Sequence, residues 1–84
     1  MSTVQRLGKV FGETFGVDPA TISEKTVPDD VEKWDSLGHM AMVSALEKEF
    51  GVQFGIDEIM EMATVESILA ILAAHGVSDN GAEG

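Results

Sequence analysis

The sequence has no cysteine and few basic residues. Without cysteine, neither disulfides nor a thiolate-ligated zinc ion can stabilise so short a chain. No apolar run approaches the roughly 20 residues that a membrane-spanning helix needs. Five Lys and Arg stand against 15 Asp and Glu, which gives a net charge of −10. This imbalance argues against partners such as nucleic acids and anionic membranes.

The length of 84 residues predicts one compact domain without a second lobe. An apolar content of 44% is too high for a fully disordered chain. The N-terminal residues lack the continuous apolar stretch and cleavage site of a secretion signal, so we expect a cytoplasmic protein. We assign the domain to residues 1–76 and a flexible polar tail to residues 77–84, and we expect a monomer.

The first third of the chain predicts one helix followed by a long loop. Apolar residues recur at helical spacing from Val4 to Phe15, with Ser2 or Thr3 placed to cap the helix and Gly16 to end it. Turn residues then interrupt the pattern as far as Trp34. Four apolar residues of this loop are the expected anchors to the core: Ile22, Val27, Val31 and Trp34.

The remainder predicts two long helices and a short one. The second helix begins at Asp35 or Ser36 and ends at Gly51. Its apolar residues step by three or four: Leu37, Met40, Val43, Leu46 and Phe50. Asp57 can cap a short helix over 58–62, and the last helix runs from near Thr64 to Gly76. The predicted fold is therefore all-α, a bundle of three main helices and one short helix with a long loop between the first two.

Ser36 lies where the second helix is expected to start. The start of a helix offers unpaired backbone N–H groups and the positive end of the helix dipole. An anion attached to the Ser36 hydroxyl, such as a phosphodiester, would be stabilised there. The alternative is that Asp35 and Ser36 are ordinary capping residues.

The segment Asp35-Ser36-Leu37 resembles the attachment motif of the acyl carrier protein family. The likeness extends to the first helix, the long loop, and the sequences of residues 46–51 and 63–68. The resemblance implies that a phosphopantetheinyl transferase moves 4′-phosphopantetheine from coenzyme A to Ser36, with Asp35 and Leu37 beside it. It also implies a protein that is not an enzyme. The thiol of the arm would hold an acyl or aminoacyl group as a thioester for partner enzymes.

The same resemblance implies that the second helix docks acyl-loading and acyl-processing enzymes through their basic patches. The expected partner-binding residues are Gly38, His39, Met40, Val43, Glu47, Glu49, Ile56, Asp57, Glu58 and Glu61. The alternative is that these acids form a plain solvated face. Gly38, Ala41 and Lys48 stand where carriers of general fatty-acid synthesis tend to have acids. These departures favour a specialised carrier with dedicated partners, from a secondary-metabolite, polyketide or amino-acyl modification pathway.

Other side chains leave alternatives open. Four methionines, Met40, Met42, Met60 and Met62, could line a cavity for an acyl chain or simply fill the core. His39 follows Ser36 by three residues, but no third residue or glycine-rich oxyanion loop supports a serine hydrolase. We expect no metal site, because the histidines are far apart and cysteine is absent. The alternative function is an acidic helical adaptor that binds a basic protein without a prosthetic group.

Overall fold

The computed structural model describes residues 2–77, and within them every regular element is helical. The helices are α1 (Thr3–Phe15), α2 (Ser36–Phe50), α3 (Ile56–Glu61) and α4 (Val65–Ala74). The long loop between α1 and α2 contains two single-turn 3-10 helices, Pro19–Thr21 and Pro28–Asp30. The predicted all-α bundle of three main helices and one short one is thereby confirmed. Val77 packs against the core, whereas the rest of the predicted tail lies outside the described residues.

Side chains and glycines set the ends of the two longest helices. The Ser2 hydroxyl accepts the Gln5 N–H at 3.1 Å, and the Gln5 side chain accepts the Ser2 N–H at 2.8 Å. Ser2 is therefore the cap of α1, and this reciprocal pair satisfies two donors that the first turn leaves free. Gly16 and Gly51 end α1 and α2 with φ of 73° and 66°, in the left-handed region that favours glycine.

The short helix α3 starts earlier than the sequence predicts. It begins at Ile56, so Asp57 lies inside the first turn and is not its cap. The Glu58 carboxylate instead accepts the backbone N–H of Gly55 at 3.0 Å. A glutamate in the third position can thus satisfy the helix start without a capping side chain at the preceding residue.

The core forms where α1, α2, α4 and the loop meet. Its aromatic centre is Phe11, whose ring packs edge-on against Phe15 at 5.2 Å and against Trp34 at 5.1 Å. Such edge-to-face pairs add to the stability gained from burial. The side chains with no more than 2% exposure are Leu7, Val10, Phe11, Val31, Met42, Leu46, Met62, Val65, Ile68 and Leu72.

Three of the four predicted loop anchors are buried, and the fourth prediction is wrong. Val27 is 36% exposed, while the neighbouring Thr26 is only 5% exposed. The Thr26 hydroxyl accepts the N–H of Ser23 at 2.9 Å, and its carbonyl accepts the N–H of Val65 at 3.1 Å. Thr26 takes the place of Val27 as the anchor. Its burial is tolerated because its hydroxyl and its carbonyl both have hydrogen-bond partners.

The apolar residues of α2 do not form one buried stripe. Val43 and Leu46 are buried as the spacing suggests, but Leu37 is 85% and Met40 51% exposed. Met42 is fully buried in their place. The helix α2 therefore has apolar side chains both toward the core and toward solvent. The spacing of apolar residues alone does not predict which of these side chains are buried.

An ion-pair cluster ties α1 to the end of α2. The Arg6 guanidinium donates to the Glu49 carboxylate at 3.1 Å and to its carbonyl at 2.9 Å, while Lys9 lies 3.6 Å from the same carboxylate. The guanidinium also lies 4.4 Å from the centre of the Phe50 ring. Glu49 is therefore engaged by two basic residues of its own chain, and its contact with a partner stays a prediction.

Gly38 allows the end of the loop to pack directly on the first turn of α2. A Cβ at this position would overlap the Lys33 carbonyl oxygen and would lie 2.8 Å from the Phe15 ring. A side chain at this position would face the protein's own loop and core, and the contact of Gly38 with a partner stays a prediction. Glycine is required here by close approach of the backbone and not by its conformational freedom.

Replacing Gly38 with alanine should therefore destabilise the fold. Alanine is the better helix former by about 1 kcal/mol, but overlap with a rigid backbone carbonyl costs about 1–3 kcal/mol and should win. The free energy of unfolding in urea would measure the balance. Ser44→Ala is the control, because it places alanine at an exposed position of the same helix, where no close contact is lost. A Gly38→Ala variant as stable as the wild type would contradict the close packing.

Candidate functional site

Asp35 is the cap of α2, and Ser36 is the first residue of the helix. The Asp35 carboxylate accepts the N–H of Gly38 at 2.9 Å. Ser36 is exposed to solvent, and its hydroxyl is not needed to cap the helix. The sequence alone does not say which of the two residues caps the helix. In the structure Asp35 is the cap, and the Ser36 hydroxyl is exposed to solvent.

The surroundings of Ser36 favour an attached anion. The helix behind it has 15 residues, and its aligned peptide dipoles place partial positive charge at this end. The first-turn N–H groups lack partners within the helix, and the Asp35 side chain takes only that of Gly38. The remaining donors can stabilise negative charge without any lysine or arginine.

An open cleft of about 670 Å³ lies beside Ser36, between the end of the loop, α2 and α3. It is lined by Pro28, Trp34, Asp35, Ser36, His39, Met40, Ile59, Met60, Met62 and Ala63. Three of the four methionines singled out in the sequence line this cleft. Met42 does not, because it is fully buried in the core. The lining is mainly apolar, which suits hydrocarbon more than a charged ligand.

His39 uses both of its ring nitrogens within the protein. The Trp34 indole N–H donates to His39 Nδ1 at 2.8 Å, and His39 Nε2 lies 2.9 Å from the carbonyl oxygen of Ile59. An indole N–H can only donate, so Nδ1 is the acceptor and carries no proton. The proton is then on Nε2, which donates to the Ile59 carbonyl.

This arrangement gives His39 contacts within its own chain, and its contact with a partner stays a prediction. The ring is only partly exposed and lies parallel to the Trp34 ring, with an interplanar angle of 8°. Because Nδ1 accepts from the indole and Nε2 donates to the carbonyl, neither nitrogen is placed to take a proton from Ser36. His39 connects the loop, α2 and α3.

Several acids predicted to face partners are engaged inside the chain. The Glu47 carboxylate accepts the N–H of Phe54 at 2.9 Å, and the Glu58 carboxylate lies 2.9 Å from His75 Nε2. Val43 is only 3% exposed and cannot contribute to a surface. The predicted docking residues that do lie exposed are Met40, Ile56, Asp57 and Glu61.

The hydrogen bonds of Glu58 change the pKa of its carboxyl. The Gly55 N–H donates to it and holds its pKa below the ordinary value, and the hydrogen bond and charge of His75 act in the same direction. Partial removal from water acts the other way but does not prevail. Glu58 thereby holds the start of α3 and connects it to the end of α4.

A small helical bundle that presents an exposed serine at the start of its second helix, beside an apolar cleft, has the architecture of a carrier domain. Residues 5–72 match the family model described as "Phosphopantetheine attachment site". The acyl carrier protein of Zymomonas mobilis subsp. mobilis is 32% identical over 73 residues, which cover 87% of this chain and 94% of that protein. The chain belongs to the acyl carrier protein family.

Membership of this family establishes the predicted function. The protein is an acyl carrier and not an enzyme, and its prosthetic group is covalently attached 4′-phosphopantetheine. Its partners include a phosphopantetheinyl transferase and enzymes that act on acyl groups. The comparisons give no support to the alternative of an acidic adaptor without a prosthetic group. Among residues 2–77, no helix is both long and apolar enough to cross a membrane.

The contacts of Glu58 predict a specific acid response. Because folding lowers the pKa of its carboxyl, Glu58 stabilises the fold at pH values above the unfolded pKa, about 4.3 for Glu. This contribution is lost as the pH falls through the lower, folded pKa. Glu58→Gln should therefore lower the melting temperature at neutral pH, and the difference from the wild type should close in acid.

Thermal melting followed by circular dichroism from neutral pH into the acid range measures this response. Glu32→Gln is the control, because Glu32 is exposed and lies outside the helices. A constant difference between Glu58→Gln and the wild type at every pH would contradict the assignment.

Proposed function

We propose that Ser36 is the residue that carries the 4′-phosphopantetheine arm. The observation that carries the proposal is the division of roles at the start of α2: Asp35 caps the helix, and the exposed Ser36 hydroxyl is left for modification. Ser36 also lies within residues 5–72, the segment that matches the attachment family. When the arm is bound, its thiol supplies the thioester that holds the acyl group.

The neighbours of Ser36 suit the attached group in different ways. The first-turn N–H groups of α2 face a negative phosphodiester favourably. Asp35 fixes the geometry of this turn through its bond to Gly38. The cleft lined by Met40 and Met60 lies directly beside the hydroxyl and offers apolar surface to whatever the arm holds.

We further propose a docking surface made of six exposed residues on α2 and α3: Leu37, Met40, Ile56, Asp57, Met60 and Glu61. Its apolar members are 51–85% exposed, although burial of such side chains would be favourable. Leu37 and Met40 lie near the start of α2, and Ile56 and Met60 lie on α3. Met40 and Met60 line the cleft beside Ser36. Apolar side chains at the centre of an interface usually supply most of the binding energy.

The charge on this docking surface is modest. Glu47, Glu49 and Glu58 are held by intrachain contacts, so Asp57 and Glu61 are its exposed acids. A partner that fits has an apolar hollow with a small basic rim, whose charges speed encounter more than they add affinity. Together with Ala41 and Lys48, this modest charge favours a carrier of a specialised pathway with dedicated partners. We propose that it acts as a monomer in the cytoplasm.

Ser36→Ala should abolish attachment of the arm. Incubation with coenzyme A and a broad-specificity phosphopantetheinyl transferase, followed by intact-protein mass measurement, should show one phosphopantetheine on the wild type and none on the variant. The variant should fold, because Asp35 retains the cap and exposed substitutions change stability by only about 0.5 kcal/mol. Ser44→Ala, which removes another exposed serine of α2, is the matched control and should be modified normally. Attachment to folded Ser36→Ala, or none to folded wild type, would refute the assignment.

The docking surface predicts that apolar contacts outweigh charge. Ile56→Ala should lower kcat/KM of the transferase reaction by about tenfold, as expected for an interface side chain worth more than 1 kcal/mol. Asp57→Asn should lower it less, and that effect should vanish at high salt. Val27→Ala is the control, since Val27 is a partly exposed apolar residue outside the docking surface. A larger loss in Asp57→Asn than in Ile56→Ala would contradict the proposal.

A further inference from the structure

His39 joins three segments that would otherwise be separate walls of the cleft. Trp34 belongs to the end of the loop, His39 to α2 and Ile59 to α3, and the two hydrogen bonds of the imidazole connect them in one row. All three residues line the cleft beside Ser36. The row therefore connects the end of the loop, α2 and α3 along the lining of the cleft that lies beside Ser36.

The interior behind this row is filled. Met62 lines the cleft but is only 1% exposed, so it forms part of the floor. Met42, one helical turn beyond His39, is completely buried, as is Leu46. A hydrocarbon chain can thus contact Met40 and Met60 in the open cleft, whereas Met42 and Leu46 offer it no exposed surface.

We propose that His39 is a specificity-determining residue: by bridging the Trp34 indole and the Ile59 carbonyl, it keeps an acyl group on the arm in the open cleft and out of the core. This inference rests on the proposed attachment at Ser36. The carrier then shelters short and long acyl groups to a similar extent, and the cargo stays accessible to partner enzymes. Selection among cargoes by chain length is left to those partners.

The test compares acyl groups of increasing length on the same protein. Acetyl, hexanoyl and decanoyl arms are attached from the corresponding acyl-coenzyme A, and intact mass confirms one arm on each sample. Methionine methyl resonances then report where the chain lies, because Met40 and Met60 line the cleft and Met42 lies in the core. The rate of thioester cleavage by hydroxylamine reports how well each acyl group is shielded.

In the wild type, we expect decanoyl to shift the Met40 and Met60 resonances, to leave Met42 unchanged and to be cleaved as fast as acetyl. In His39→Ala, decanoyl should shift Met42 and be cleaved more slowly. The added protection should reach about fourfold for each methylene that enters the core, as expected from the free energy of burying that group. His39→Gln, which keeps a donor and an acceptor, should restore behaviour close to the wild type.

His75→Ala is the matched control, because it removes the other histidine that contacts α3 and leaves the lining of the cleft intact. It should behave as the wild type does at every chain length. A decanoyl-dependent shift of Met42 in the wild type would overturn the proposal. This measurement uses the wild-type protein alone, so it does not depend on the folding of any variant. Equal cleavage and unshifted Met42 in folded His39→Ala would also overturn it. Absence of any added arm would instead refute the attachment at Ser36, and this inference with it.

Discussion

The contact between Gly38 and the Lys33 carbonyl is the constraint on which the site depends. It draws the end of the long loop onto the first turn of α2, where any Cβ would separate the two. Trp34 is thereby buried against Phe11, and Asp35 is placed to cap the helix. Ser36 follows as the first exposed residue of α2. The geometry that presents its hydroxyl thus comes from backbone packing.

Side-chain hydrogen bonds from α2 and from the end of α4 hold α3 in place, because a helix of six residues is too short to be stable alone. Both histidines of the sequence contact it, His39 at the Ile59 carbonyl and His75 at the Glu58 carboxylate. The same contacts shape the site, because they connect α2 to α3 beside Ser36 and engage the Glu58 carboxylate within the chain. The proposed docking surface is largely apolar, which agrees with a carrier that meets its enzymes briefly and holds its cargo covalently.

The sequence predicted the fold class and most helix ends, because caps and glycine stops are local signals. Gly16 and Gly51 end their helices where expected. Contacts between distant residues have no such signal: nothing in the local pattern pairs Arg6 with Glu49. The sequence therefore predicts that the acids of α2 and α3 face partners, but it does not show that Glu47, Glu49 and Glu58 also have contacts within the chain. For the same reason, the hydrogen bonds of His39 could not be foreseen, although its place near Ser36 could.

The hydrogen bond from the Trp34 indole to His39 is the most direct test of this account. Trp34 is the only tryptophan, so its indole N–H gives a single resonance. We expect a scalar coupling between Trp34 Nε1 and His39 Nδ1 across the hydrogen bond, and slow exchange of the indole proton with solvent. An uncoupled indole that exchanges as fast as an exposed one would contradict the packing of the loop on α2.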